Sequence, residues 1–151
     1  AFDIRNNGGS NRVVLSGGIN GGIFRSEDGG LTWSFVHPVN EIRSVSCIAQ
    51  DTRVGYQDTW YAGTGEALGA SASIAGASVL GFGMFKSTDN GKTWTKLSST
   101  VGTTATSQID FDSPFDIISN IAVHPKLEMY MLLVIGELCD QPMVVQHSIV
   151  C

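Results

Sequence analysis

Short runs in which apolar and polar residues alternate recur along this chain, and turns rich in glycine, serine and aspartate separate them. Alternation places successive side chains on opposite faces of an extended strand, whereas a helix needs an apolar residue every three or four positions. No segment keeps the helical period over several turns, so the pattern predicts an all-β protein. The strands are predicted near residues 12–16, 22–26, 32–36, 45–50, 59–63, 83–87, 93–97 and 117–123.

One turn occurs twice in nearly the same form. Residues 22–33 read Gly-Ile-Phe-Arg-Ser-Glu-Asp-Gly-Gly-Leu-Thr-Trp, and residues 83–94 read Gly-Met-Phe-Lys-Ser-Thr-Asp-Asn-Gly-Lys-Thr-Trp. The aspartates can accept hydrogen bonds from backbone N–H groups of their own turn, the aligned glycines allow a positive φ, and the tryptophans cover the hairpin ends. A catalytic role for the aspartates is the alternative, but these residue types favour turn locking. The two copies consist of Ser26, Asp28, Gly30, Thr32 and Trp33, and of Ser87, Asp89, Gly91, Thr93 and Trp94.

The shared pattern Ser-x-Asp-x-Gly-x-Thr-Trp resembles the Asp-box, or BNR repeat, of sialidases, xyloglucanases, sortilin-type receptors and photosystem assembly factors. Residues 59–66 also resemble the second blade strand of secreted bacterial Asp-box proteins. The resemblance covers roughly residues 12–125. It implies a β-propeller fragment in which each box closes the hairpin between the third and fourth strands of a blade.

The repeat divides the chain into four parts. Residues 1–36 are predicted to be a partial first blade, 37–97 a complete second blade with its Asp-box, 98–125 the start of a third, and 126–151 a tail that does not follow the blade pattern. A weaker repeat, Ser46–Asp51 and Ser119–His124, marks the first strands of the second and third blades. About two and a half four-stranded antiparallel blades cannot close a ring, because propellers have about 4–8 blades. The remaining blades of a longer parent protein are therefore expected partners.

The pattern breaks after Pro125. Residues 129–139 read Met-Tyr-Met-Leu-Leu-Val-Ile-Gly-Glu-Leu-Cys, where a blade would continue with a strand, a glycine-rich turn and another Asp-box. Codons for residues 140–148, read in the same shifted frame as residue 129 onward, allow Ser-Thr-Asp-Gly-Gly-x-Thr-Phe about one blade after the second box. We therefore hypothesise that residues 126–151 are an aberrant, out-of-frame tail. The alternative is a genuine but divergent pair of strands.

Composition narrows the classes of function. The 151 residues carry 9 Lys and Arg against 14 Asp and Glu, and the net charge of −5 argues against nucleic-acid binding, which depends on a basic surface. No apolar run is long enough for a membrane span. Cys47, Cys139 and Cys151 fit no zinc motif, so no metal or other cofactor is expected, and Cys47 is predicted to be a buried thiol. The resemblance implies a secreted or cell-surface protein. Because the first residue is Ala1 and not Met, we expect either that a leader was removed or that the chain starts in the middle of a gene.

Two long loops identify the candidate ligand-binding face. Alternate connections in an up-and-down blade lie at the same end, so the loops at 66–82 and 98–116 are expected opposite the Asp-boxes. Loops of this length are usually functional or disordered. The candidate binding residues are Glu66, Ser71, Ser73, Asp110, Asp112 and Asp116.

These loops also hold the weak candidates for chemistry. Glu66 with Asp110 or Asp112 could supply the carboxylate pair of a glycoside hydrolase. Asp110, Asp112 and Asp116 could offer oxygen ligands to Ca²⁺, although the spacing is a poor match. In each case the alternative is a residue that stabilises its own turn.

Three functions remain open at this point. The first is a non-catalytic secreted scaffold or binding module for a glycan or protein. The second is a fragment of a glycoside hydrolase of the xyloglucanase or sialidase-like type. The third is an assembly factor or sorting receptor that binds a peptide. The Phe-Arg-Ile-Pro motif of sialidases and the Gly-x-Ser-x-Gly nucleophile motif are both missing from the sequence, which favours the first function.

Overall fold

The computed structural model describes residues 1–5, 12–19, 21–37, 44–66, 81–100 and 115–125, and the backbone of 129–137 and 142–150. The described ranges contain strands and a single 3₁₀ turn, Ser98–Thr100, but no α-helix, so the all-β prediction is confirmed. The strands are β1 (Val14–Gly18), β2 (Gly22–Ser26), β3 (Ser34–Phe35), β4 (Val45–Gln50), β5 (Trp60–Thr64), β6 (Met84–Ser87), β7 (Thr95–Lys96), β8 (Asn120–Val123), β9 (Met129–Glu137) and β10 (Pro142–Val150).

The strands form antiparallel sheets in which neighbours in sequence are neighbours in space. The first sheet has the order β1-β2-β3 and the second the order β4-β5-β6-β7, while β8, β9 and β10 form a third. The predicted strands all occur, but the observed strand that follows each Asp-box has only two residues, because the box itself takes up the start of the predicted return strand.

The first five residues extend the first sheet. Phe2 bridges to Val14, the N–H of Asp3 donates to the carbonyl of Val13 at 3.1 Å, and the N–H of Leu15 donates to the carbonyl of Ala1 at 2.8 Å. This antiparallel pairing adds a fourth extended segment beside β1. The sequence did not reveal it, because Ala1–Asp3 is too short to show a period.

The first and second sheets pack face to face. Leu15 and Ile23 of the first sheet form one core with Trp60, Phe85 and Trp94 of the second. Burying large aromatic and aliphatic side chains stabilises such a contact by about 1.5–3 kcal/mol per side chain. Trp94 is only 5 % exposed in this contact.

The opposite face of the second sheet packs against the segment that leads into β8. Tyr61 and Met84 lie in a core with Phe115, Ile118 and Ile121. Strand β5 is therefore buried along its whole length, because its alternate side chains enter two different cores. Cys47 lies half-buried beside this second core, and burial raises the pKa of its thiol.

The segment predicted to be aberrant has a regular backbone. Strand β9 pairs with β8 through Asn120↔Leu133 to Val123↔Tyr130, and β10 pairs with β9 along its full length. The hypothesis of an out-of-frame tail remains a prediction, which the coding DNA will decide.

Candidate functional site

The aspartate of the first Asp-box closes its own turn. Oδ1 of Asp28 accepts hydrogen bonds from the backbone N–H groups of Leu31 and Thr32, both at 2.9 Å, and Oδ2 accepts the hydroxyl of Thr32 at 2.6 Å. The hydroxyl of Ser26 donates to Asp28 at 2.7 Å and accepts the N–H of Gly30, also at 2.7 Å. These bonds, from Thr32 first and then Ser26, hold the pKa of Asp28 far below its usual range.

The second box repeats this network. Asp89 accepts the N–H groups of Lys92 at 3.0 Å and Thr93 at 2.9 Å and the hydroxyl of Thr93 at 2.6 Å, and Ser87 donates to it at 2.8 Å. Burial on its own would raise the pKa of Asp89, but the hydrogen bonds from Thr93 and Ser87 outweigh it, so the pKa is lowered. Because their pKa values are lowered, both carboxylates are ionised near neutral pH and accept hydrogen bonds from their own turns. These properties suit residues that stabilise a turn better than residues that donate a proton.

Asn90, inside the second box, connects four parts of the chain. It has a left-handed backbone with φ of 60°, which asparagine tolerates better than most residues. Its N–H donates to the carbonyl of Asp58 at 2.9 Å, and its side-chain oxygen accepts the indole N–H of Trp60 at 2.9 Å. Its amide nitrogen donates to Asp3 at 3.2 Å, and its carbonyl accepts Nε of Arg25 at 2.8 Å.

Asp3 anchors the N-terminal segment to the second sheet. Its buried carboxylate accepts bonds from Arg5 at 2.9 and 2.7 Å and from Gln50 at 2.9 Å. Asp51 repeats this arrangement with Arg53, whose Nη2 lies 2.6 Å from the carboxylate. The sequence contains the pattern Asp-x-Arg at both places, but a pattern of two residues is too short to predict an ion pair without the structure.

A cleft of about 530 Å³ opens between the first two sheets at the end that carries the second Asp-box. The side chains around it are charged or polar apart from one valine. They are Val13, Arg25, Glu27, Asp58, Asp89, Asn90 and Lys92. The contact between Asn90 and Asp58 places the 51–58 loop and the second box at the same end of the sheets.

The opposite end of the sheets holds two of the six predicted ligand-binding residues. Glu66 lies two residues after the end of β5, and the carbonyl of Asp116 accepts the N–H of Gly81 at 2.7 Å. The backbone of Gly65 lies against the carbonyl of Asp116, which brings the start of one long loop next to the end of the other. Ser71, Ser73, Asp110 and Asp112 lie outside the described residues.

Two buried polar atoms stand out at this end. Within the described residues, the hydroxyl of Ser44 and Oε2 of Glu66 have no hydrogen-bond partner, and Ser44 is only 2 % exposed. The two residues are close together, because the N–H of Gly65 donates to the carbonyl of Ser44 at 3.1 Å. Sequence reasoning missed Ser44, because a lone serine before a strand carries no signal.

The described part of the chain contains no cluster of three or more His, Cys, Asp and Glu side chains suited to a metal ion. Within the same part, no helix is long and apolar enough to cross a membrane. Comparison of the chain with models of known families, with curated proteins and with solved structures gives no match.

Proposed function

We propose that this chain is a section of an Asp-box β-propeller that serves as a non-catalytic, extracellular binding module for a glycan or protein. Its ligand binds at the end of the sheets opposite the Asp-boxes, where Glu66, Ser44 and Asp116 lie. The packing of the sheets supports the propeller architecture, and two buried polar atoms support the position of the binding end.

The packing of the sheets supports a propeller. Antiparallel sheets follow one another in chain order, and the second sheet is covered by the first sheet on one face and by the segment before β8 on the other. Propeller blades are likewise antiparallel sheets that stack face to face in chain order, so this packing supports the proposal. The two Asp-boxes occupy the same hairpin of their respective sheets, between β2 and β3 and between β6 and β7.

The unpartnered atoms of Ser44 and Glu66 are the observation that carries the binding end. Most buried polar side-chain atoms in proteins have a hydrogen-bond partner, because a buried polar atom without a hydrogen bond costs about 1–3 kcal/mol of stability. A carboxylate oxygen accepts and a hydroxyl can donate or accept, so a ligand that brings hydroxyl or amide groups satisfies both atoms. The two ends of the sheets differ in this respect, because the carboxylate oxygens of the Asp-boxes already have hydrogen-bond partners. The difference supports ligand binding at the end that holds Ser44 and Glu66.

A glycan array and a peptide array probed with the labelled protein test the proposal. Glu66→Gln and Ser44→Ala should weaken binding to the ligands that the wild type retains. Val54→Ser is the control, because it changes an exposed side chain of the 51–58 loop at the Asp-box end, and it should leave that binding unchanged. Binding that survives in Glu66→Gln and Ser44→Ala, or the lack of any bound glycan or peptide, would contradict the proposal. Hydrolysis of a bound glycan would overturn the non-catalytic part.

A further inference from the structure

The cleft between the first two sheets lies at the end opposite the proposed binding end. The hydrogen bonds that close the Asp-box turns are made within each turn and do not involve a ligand in the cleft. Its volume of about 530 Å³ is within the range of roughly 300–1,000 Å³ that is typical of small-molecule sites. The side chains around it separate into a buried floor and an exposed rim.

The floor presents a fixed hydrogen-bond donor. Arg25 is 8 % exposed, and the bond from its Nε to the carbonyl of Asn90 holds the guanidinium in place. One terminal nitrogen, Nη1, pairs with Glu27. The described residues give the other, Nη2, no hydrogen-bond partner, although a guanidinium has five N–H donors to satisfy. A ligand oxygen in the cleft would complete this set.

The rim offers both donors and acceptors. Glu27 and Lys92 are exposed, and the carboxylate of Asp58 is more than half exposed although Arg5 contacts one of its oxygens at 2.8 Å. The charges around the cleft are already paired in part, Arg25 with Glu27 and Arg5 with Asp58, so no strong excess of one sign remains to attract an ion. Among the described residues, no group of three or more His, Cys, Asp and Glu side chains around the cleft is suited to hold a metal ion.

From this arrangement we propose that the cleft is a second binding site, which takes a neutral ligand with closely spaced hydroxyl groups, of mono- or disaccharide size. Hydroxyl groups both donate and accept, so they match a rim of carboxylates and an ammonium group above an arginine floor. An anion would face three carboxylates, and a cation would face Arg25 and Lys92. The site is separate from the proposed function and stands or falls without it.

Saturation-transfer NMR with glucose, galactose, mannose, maltose and cellobiose as probes tests this proposal, and calorimetry then gives the dissociation constant of any that bind. Lys92→Met and Glu27→Gln should each weaken binding by about tenfold or more. The matched control Lys96→Met changes a lysine of the same sheet that lies outside the cleft, and it should bind like the wild type.

Three results would overturn the second site. The first is no saturation transfer to any of the five sugars at concentrations on the order of 10 mM. The second is binding that Lys92→Met and Glu27→Gln leave unchanged. The third is binding that Glu66→Gln abolishes, which would move the sugar to the opposite end and support the proposed function instead.

Discussion

The Nε atom of Arg25 donates a hydrogen bond to the backbone carbonyl of Asn90 at 2.8 Å and so joins the strand before the first Asp-box to the turn of the second. Arg25 occupies the basic position that precedes the box in each repeat. Its side chain is buried between the sheets, so this bond is shielded from water. In the first repeat, the basic position therefore makes a contact between neighbouring sheets.

Replacing Arg25 by methionine should lower the free energy of unfolding by about 1–3 kcal/mol, because the carbonyl of Asn90 loses its buried donor. Urea denaturation followed by circular dichroism measures the change. Glu27→Gln is the control, because it removes the ion pair with Arg25 and keeps the bond to Asn90, and its effect should be clearly smaller. Equal effects of the two substitutions would show that the ion pair, and not the bond between the sheets, stabilises the contact.

The two Asp-boxes should differ in their contribution to stability although their internal bonds match. Asp89→Ala is expected to cost about 2 kcal/mol or more, because it breaks charge-assisted bonds and loosens the turn that positions Asn90 between the sheets. Asp28→Ala should cost less, because the first box is at an open face where Trp33 is 43 % exposed. Thermal unfolding of both variants checks the order, and a larger loss for Asp28→Ala would contradict it.

Acid should destabilise the protein through Asp3. Burial disfavours its charged form, but the hydrogen bonds from Arg5 and Gln50 outweigh burial and lower its pKa from the ordinary 3.8 to about 2. A carboxyl group whose pKa is lowered by folding stabilises the folded state above its unfolded pKa. That contribution is therefore complete above about pH 5 and is lost as the pH falls from about 4 towards 2.

Unfolding free energies measured between pH 2 and pH 7 test this expectation. Asp3→Asn should show a shallower decline in acid than the wild type, because asparagine does not titrate. Asp89 and Asp51 also have lowered pKa values, so part of the decline should remain in the variant. Parallel curves for the two proteins would rule out Asp3 as a source of the acid dependence.

Gly65 fixes the approach of the two long loops and should not tolerate a side chain. Its φ is 92°, and a Cβ atom would overlap the backbone carbonyl of Asp116. Gly65→Ala should therefore destabilise the protein by more than the roughly 1–2 kcal/mol of the backbone conformation alone. Gly55→Ala is the control, because Gly55 has a similar φ of 87° with no atom within 4 Å of the added carbon. Comparable melting temperatures for the two variants would argue against this close approach.

The strands and the Asp-box turns could be predicted from the sequence because each depends on residues close together in the chain. Alternation located β4 and β5, and the spacing of Ser87, Asp89 and Thr93 indicated a closed turn. The contacts of Arg25 with Asn90 and of Asp3 with Gln50 join distant segments, and a single sequence carries no signal for such pairs. Ser44 could not be predicted as a candidate binding residue for the same reason, because only its burial and its position beside Gly65 single it out.

The first and second sheets pack face to face, so that the tryptophan of the second Asp-box is covered and that of the first is open. Acrylamide quenching of tryptophan fluorescence in Trp33→Phe and Trp94→Phe tests it directly. Trp33 is 43 % exposed and Trp94 is 5 % exposed, so Trp33→Phe should remove most of the quenchable emission while Trp94→Phe retains it. Equal loss of quenchable emission in the two variants would contradict the packing of the sheets.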